Sequence, residues 1–265
     1  MDAALETHPE MEEPLRLQRD LIAAANALEG DQVQLSVDAE SARERLKAGK
    51  PVLTAPQRDA FRDARMAFAE QVCGLITANR PELAQAIEDI RARLPALVGT
   101  GQERDTEGAW LAEFKQDDTM QQLVAFVARQ AEMPFLHALA TKASAVVDDL
   151  PPGQTSCPIC GSQPVIAALR KPDGDRSLMC GACLTEWPVR RVGCPFCGSK
   201  ETEGFTYHID KDPAYRLYTC SACTRYLKTV DERQAKDVFP LPLEHTLTMG
   251  MDLAAIEQGF LASEG

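Results

Sequence analysis

The chain has 265 residues, with 28 basic and 40 acidic side chains, a formal net charge of −12, and an ordinary globular composition of 45% apolar and 26% charged residues. Such acidity opposes binding to nucleic acid or to an anionic membrane, because the long-range field repels phosphate. No charge-free apolar run approaches the roughly 20 residues a bilayer span requires, and Met1–Glu13 carries acids where a leader would be basic and then apolar, so the sequence predicts a cytoplasmic protein without membrane insertion.

Residues 1–150 are the acidic half, with a net charge of −10 against −2 for residues 151–265. Apolar residues recur there at three- and four-residue steps, the period of a helix face. One stripe runs through Leu21, Ala25 and Leu28. Thr54-Ala55-Pro56-Gln57 has the form of a capping box with proline in the first turn, and Phe61, Ala64, Phe68, Val72, Leu75 and Ile76 follow as a second stripe. Pro81 opens a third with Leu83, Ile87, Ile90 and Leu94. Met120, Leu123, Val124 and Val127 make a fourth, and Leu136, Leu139, Ala143 and Val147 a fifth. The expectation is an all-α bundle of six or seven helices over 1–150. Cys73 and His137 lie in such stretches and read as helix residues, the first a small buried hydrophobe and not a nucleophile, the second packed or partly exposed and not a ligand. Asp148 to Ser156 contains Pro151-Pro152-Gly153 and reads as a helix-ending linker.

Eight of the nine cysteines then fall between residues 157 and 223 as four Cys-x-x-Cys pairs. In a reducing compartment grouped cysteines bind metal or do redox chemistry more often than they form disulfides. Cys157-Pro-Ile-Cys160-Gly-Ser recurs as Cys194-Pro-Phe-Cys197-Gly-Ser, and Arg176-Ser-Leu-Met-Cys180-Gly-Ala-Cys183 recurs as Arg216-Leu-Tyr-Thr-Cys220-Ser-Ala-Cys223. One small unit has been duplicated. Within each unit the two pairs are separated by 19 and 22 residues, in or just beyond the range of structural four-cysteine sites.

The spacing reads as a knuckle. Two residues between cysteines allow both thiolates to face one ion while backbone N–H groups donate to sulfur, and Gly161 and Gly198 supply the left-handed turn that follows. Sequential pairing is expected, with Cys157, Cys160, Cys180 and Cys183 around one ion and Cys194, Cys197, Cys220 and Cys223 around another. Two mononuclear ions, Fe or Zn, satisfy tetrahedral thiolate equally. Four protein ligands leave no open position, so both sites read as structural staples for units too small to stabilise themselves. Strands are expected at 164–169, 177–179, 204–209 and 215–219, with turns at 171–175 and 210–213, so that each unit is a hairpin carrying two knuckles; His208 falls on a strand, away from the knuckles.

Cys157-Pro-Ile-Cys-Gly, Met179-Cys-Gly-Ala-Cys-Leu-Thr-Glu-Trp187, Arg191-Val-Gly-Cys-Pro-Phe-Cys-Gly198 and Tyr218-Thr-Cys-Ser-Ala-Cys-Thr-Arg-Tyr-Leu-Lys-Thr-Val-Asp231 resemble the formate dehydrogenase accessory protein family, FdhE, and Asp252–Phe260 is similar to that family's closing helix. The fold class expected is α+β and multidomain: an all-α helical bundle (1–150), two tandem rubredoxin- or zinc-ribbon-like metal-binding units (151–192 and 193–238), and a C-terminal helix (239–265) packed on them. The resemblance implies a cytoplasmic, non-catalytic assembly factor that binds the molybdenum- or tungsten-containing catalytic subunit of respiratory formate dehydrogenase before export. It also implies iron at the paired cysteines, which are the eight ligands, and it transfers no catalytic residue. Self-association is left open.

Glu186, Trp187, Arg190, Arg191, Arg225, Tyr226 and Lys228 follow the second knuckles. Singly they read as local packing and solvation; together they read as an aromatic and basic docking surface. Two other function classes compete with the binding module. A nucleic-acid-binding zinc ribbon conflicts with the net charge and the lack of a basic stripe. A thiol-redox enzyme or rubredoxin-like electron carrier fits Cys-x-x-Cys, but four pairs in duplicated ribbons suit coordination better.

Overall fold

The computed structural model describes residues 6, 8–28, 38–54, 56–57, 60–94, 118–147, 153–199, 204–209 and 212–262. Residues 148–152 of the expected linker and 210–211 of the second expected turn lie outside these. The chain forms two compact units, Met1–Val37 with Leu53–Leu139, and Asp38–Val52 with Ala140–Gly265. This grouping differs from the linear division at 150 in placing 38–52 and 140–147 with the cysteine-rich half.

Six α-helices are described before the cysteines: α1 Glu12–Asn26, α2 Ala39–Lys47, α3 Arg62–Asn79, α4 Ala84–Arg91, α5 Asp118–Lys142 and α6 Ser144–Val147. The apolar period holds. Phe68, Val72 and Ile76 of α3, Ile87 and Ile90 of α4, and Val124 and Val127 of α5 are buried. Phe135 stacks on Phe61 with ring centroids 5.6 Å apart and meets Phe68 edge-on at 6.4 Å. The capping residues at 54–57 are seen in half of their reciprocal pattern, Gln57 Oε1 accepting from the Thr54 N–H at 2.9 Å, while α3 itself begins only at Arg62. Cys73 is fully buried, and desolvation pushes its thiol up to about 11. His137 is exposed.

The second unit is built on one sheet: β1 Pro164–Arg170, β2 Asp175–Cys180, β3 Glu186–Val189, β4 Phe205–Ile209, β5 Tyr215–Cys220 and β6 Tyr226–Asp231. Its order is β3-β2-β1-β6-β5-β4. Each repeat is a three-stranded antiparallel meander, β1-β2-β3 and β4-β5-β6, one strand more than the hairpin expected. The meanders join through a parallel pairing of β1 with β6, with Ile166 opposite Lys228 and Leu169 opposite Asp231. The duplicated units are therefore a single sheet. Its centre is buried on both faces, which is why β6 reads as an unbroken buried run, Lys228 and Asp231 included.

The chain closes with two short helices, α7 Leu241–Leu247 and α8 Met249–Glu257. Leu241 packs into the cluster of Ile166, Ala168, Met179 and Val230; Ala255 packs with Leu217 and Tyr226. The segment 38–52 is tied to the first knuckle by the Val52 N–H donating to the Pro158 carbonyl at 2.9 Å. Among the described residues no helix is long and apolar enough to cross a membrane.

Candidate metal centres

The four knuckles share one backbone pattern, which local sequence dictates. In each, the N–H of the first cysteine donates to the carbonyl five residues on: Cys157 to Ser162, Cys180 to Thr185, Cys194 to Ser199 and Cys220 to Arg225, at 2.8 to 3.0 Å. After the second cysteine the chain turns left-handed. Gly161 (φ 82°) and Gly198 (φ 70°) take this turn in the first knuckle of each repeat. In the second knuckle the residue is not glycine: Leu184 (φ 60°) and Thr224 (φ 55°) are held there, a repeat feature that reading glycines alone misses. Amide hydrogens point at sulfur as the spacing requires, with Cys160 N–H donating to Cys157 Sγ at 3.5 Å and Ala182 N–H to Cys180 Sγ at 3.3 Å.

The knuckles meet in sequence order, not cross-braced. Cys157, Cys160, Cys180 and Cys183 form one cluster and Cys194, Cys197, Cys220 and Cys223 the other, the four sulfurs of each lying within 4.8 Å of one another. Across the first cluster Cys157 and Cys183 are 3.5 Å apart and Cys160 and Cys180 3.4 Å; across the second Cys194 and Cys223 are 3.6 Å apart and Cys197 and Cys220 3.9 Å. A disulfide requires about 2.05 Å. A tetrahedron with metal–sulfur bonds of about 2.3 Å has edges of about 3.8 Å, so both clusters fit a thiolate-bound ion and neither fits a disulfide.

The two sites differ in solvent access. All four cysteines of the first are buried, whereas Cys197 is exposed and Cys223 half-buried. Packing four thiols together disperses their acidities. Hydrogen bonding with Cys157, ahead of Cys180 and Cys183, holds the Cys160 thiol well below its ordinary value, while the same network pushes Cys180 and Cys183 up. In the second cluster desolvation raises Cys194 and Cys223; at Cys220 desolvation is outweighed by the Cys223 and Ala222 N–H donors, and the thiol is lowered. A cation among the sulfurs reverses the upward shifts, because it stabilises every thiolate at once.

The residues after the second knuckles do not form a surface. Trp187 is 1% exposed and donates its indole N–H to the Gln154 carbonyl at 3.1 Å. Tyr226 is buried and donates to Asp252 at 2.8 Å. Lys228 is fully buried, with Nζ donating to Asp252 at 2.6 Å and to the His245 carbonyl at 3.0 Å. The docking surface is corrected accordingly: its aromatics and its lysine are interior, and only Glu186, Arg190 and Arg191 of the seven are exposed. His208 lies on the edge strand β4, outside both clusters.

Two arginines that the duplication makes equivalent have different surroundings. Arg216 on β5 pairs with the fully buried Asp231, which Arg233 also holds at 2.8 Å. Arg176 on β2 is 4% exposed and donates through Nη1 to the carbonyls of Gly193 (3.1 Å) and Arg191 (3.3 Å). Its guanidinium lies over Phe205 and Tyr218, at 5.5 and 6.0 Å from the ring centroids. Desolvation pushes it down to about 10, against the pull of Tyr218 and Cys194.

Known proteins bear on this arrangement. Residues 156–191 match the family described as FdhE, central domain. The whole chain is similar to Protein FdhE homolog of Aquifex aeolicus (strain VF5), 26% identical over 266 residues that cover 98% of this chain and 89% of that one. It is similar to Protein FdhE homolog of Haemophilus influenzae (strain PittEE) over 111 residues at 34% identity, which is 40% of this chain and 36% of that protein. The crystal structure of the FdhE protein from Pseudomonas aeruginosa superposes with a TM-score of 0.63 at 20% identity, over 92% of this chain and 83% of that chain, a likeness of fold.

Proposed function

We propose that the chain is a member of the FdhE family and a non-catalytic accessory factor, which binds the catalytic subunit of a formate dehydrogenase and supports its maturation in the cytoplasm, a reading supported by its similarity to FdhE proteins. Its eight clustered cysteines hold two mononuclear ions, Fe or Zn, one in each cluster. The observation that carries the non-catalytic part is the closed donor set. Among the described residues each cluster brings together four cysteine sulfurs and no histidine or carboxylate, and four protein ligands leave no coordination position for a substrate. When bound, the ion supplies a charge-neutralising cross-link among four thiolates, with a one-electron couple in the case of iron. The surrounding chain holds the sulfurs close enough for tetrahedral coordination and sets the second knuckle of each repeat at the end of β2 or β5. The sheet unit becomes a stiff platform for another polypeptide.

The test is purification of the tagged chain under anaerobic conditions from cells that make formate dehydrogenase. The expected result is about two ions per chain and co-purification of the molybdenum- or tungsten-containing subunit. Recovery of the chain without that subunit, in cells shown to contain it, overturns the assembly role. A salt-sensitive affinity for nucleic acid in a filter-binding assay would replace it with the ribbon-type alternative.

A further inference from the structure

Duplication sets up a symmetry, and the departure from it is informative. Arg176 and Arg216 each stand four residues before the first cysteine of a second knuckle. They hold the same place in their meanders: Arg176 lies opposite Val189 and Arg216 opposite Thr229, each partner six residues past the last cysteine of its repeat. Two positions further on, the second repeat has Asp231 and the first has Arg191. The carboxylate that neutralises Arg216 is thus replaced, at the corresponding place, by a second cation. Arg191 meets Arg176 through its main-chain carbonyl, which accepts from Arg176 Nη1 as the Gly193 carbonyl does.

A buried arginine without a carboxylate is costly unless another anion lies within reach. Among the described residues Arg176 has no ion-pair partner, and its Nε and Nη2 have no hydrogen-bond partner. Three of its contacts adjoin the second cluster. It binds the Gly193 carbonyl, next in the chain to Cys194; it stacks on Phe205, which pairs across the strands with Cys220; and it stacks on Tyr218, two residues before Cys220. A divalent ion among four thiolates carries a formal charge of about −2. Arg225, over the Phe196 ring at 5.6 Å, is another cation beside this cluster, but it is only half-buried, where solvent screens its charge.

We propose that Arg176, supplied by the first repeat, is the buried counter-cation of the second cluster when that cluster holds its metal, so that the more exposed site depends for its charge balance on the other repeat. The inference rests on the metal-bound reading above. Arg176 is a positioning residue and touches no reacting atom. Groups of this kind beside metal ligands change affinity by about 10–100-fold.

The experiment uses the full chain loaded with Zn²⁺, challenged with a chelator, and read by ion release together with mass spectrometry of alkylated cysteine peptides, which identifies the emptied cluster. Arg176→Met should release the ion of Cys194, Cys197, Cys220 and Cys223 about 10–100-fold faster and leave the other ion at the wild-type rate. Arg176→Lys should stay near wild type, because it keeps the charge. Two ions released from Arg176→Met at wild-type rates overturn the proposal, and so does equal loss from both clusters, which marks a general scaffold role. Should the methionine variant fail to fold, Arg176→Lys decides: retention of the second ion supports the counter-cation, and its selective loss refutes it. A wild-type chain that binds fewer than two ions removes the premise, an outcome distinct from a wild-type chain with two ions and an unaffected variant.

Discussion

Lys228 Nζ lies 2.6 Å from Asp252 Oδ2, a fully buried ammonium on the central strand β6 joined to a carboxylate on the closing helix α8. The same nitrogen reaches the carbonyls of His245 and Thr248 at the junction of α7 and α8. One side chain thus fastens both helices to the sheet. Burial lowers the lysine below its ordinary value and the Asp252 charge opposes that shift, so the pair is held together by mutual need.

Removing either partner should therefore have unequal effects. Asp252→Asn strands the ammonium in the interior and is expected to cost about 3 kcal/mol. Lys228→Met leaves Asp252 accessible to water and still accepting from Tyr226, and should cost less than half as much. Urea unfolding of the two variants measures the difference; equal losses would contradict a desolvated ion pair.

Asp231 offers a test in pH. Hydrogen bonds from Arg233 first, and the Arg216 charge after desolvation, hold its carboxyl below the ordinary carboxylate value. A lowered folded value means stability that is present in full above the unfolded pKa, about 3.9, and lost as pH falls through the folded value. The gap in unfolding free energy between wild type and Asp231→Asn should be widest at pH 7 and shrink below about pH 4. A gap that does not vary with pH would show that the charge contributes nothing.

The cysteine clusters should fail separately. Cys160→Ser with Cys180→Ser should reduce bound ions from about two to one, and so should Cys197→Ser with Cys220→Ser; the first pair should be the more destabilising, because all four thiols of that cluster are buried at the base of β1 and β2. Metal analysis and thermal unfolding check both statements. Loss of both ions from either double variant would mean that the sulfurs form one site.

Thr224 stands in the left-handed region at φ 55° with its side chain exposed. A β-branched residue there carries about 1–2 kcal/mol of strain. Glycine relieves it but loses more conformational freedom on folding. Thr224→Gly is accordingly expected to be neutral or stabilising by up to about 1 kcal/mol, where most glycine substitutions destabilise, and a lowered midpoint in denaturant would show that the threonine hydroxyl on the Cys223 carbonyl outweighs the strain.

The knuckles and four of the six strands were legible because their causes are local. Two residues between cysteines, a glycine after the pair, and a turn between apolar runs each act within a few positions. The helical stripes were legible for the same reason, and Phe68, Val72, Ile76 and Leu139 are buried as their period requires. The strands β3 and β6 were not. Glu186-Trp187-Pro188-Val189 carries a proline, and Tyr226–Asp231 does not alternate, since both its faces are covered. Lys228 and Asp231 look like surface residues in a list of letters, and only their partners on α8 and β5 explain their burial.

From its letters alone the chain declares a duplicated thiolate unit behind an acidic helical half, because ligand spacing and amphipathic period are properties of neighbouring residues. Tertiary structure decided that the two units share one sheet through the β1–β6 pairing, that the aromatics and the lysine after the second knuckles are core and not surface, and that Arg176 is buried against the Gly193 carbonyl with no carboxylate partner among the described residues. These depend on contacts between positions far apart in the chain. Burial and charge balance are set by what a side chain meets there.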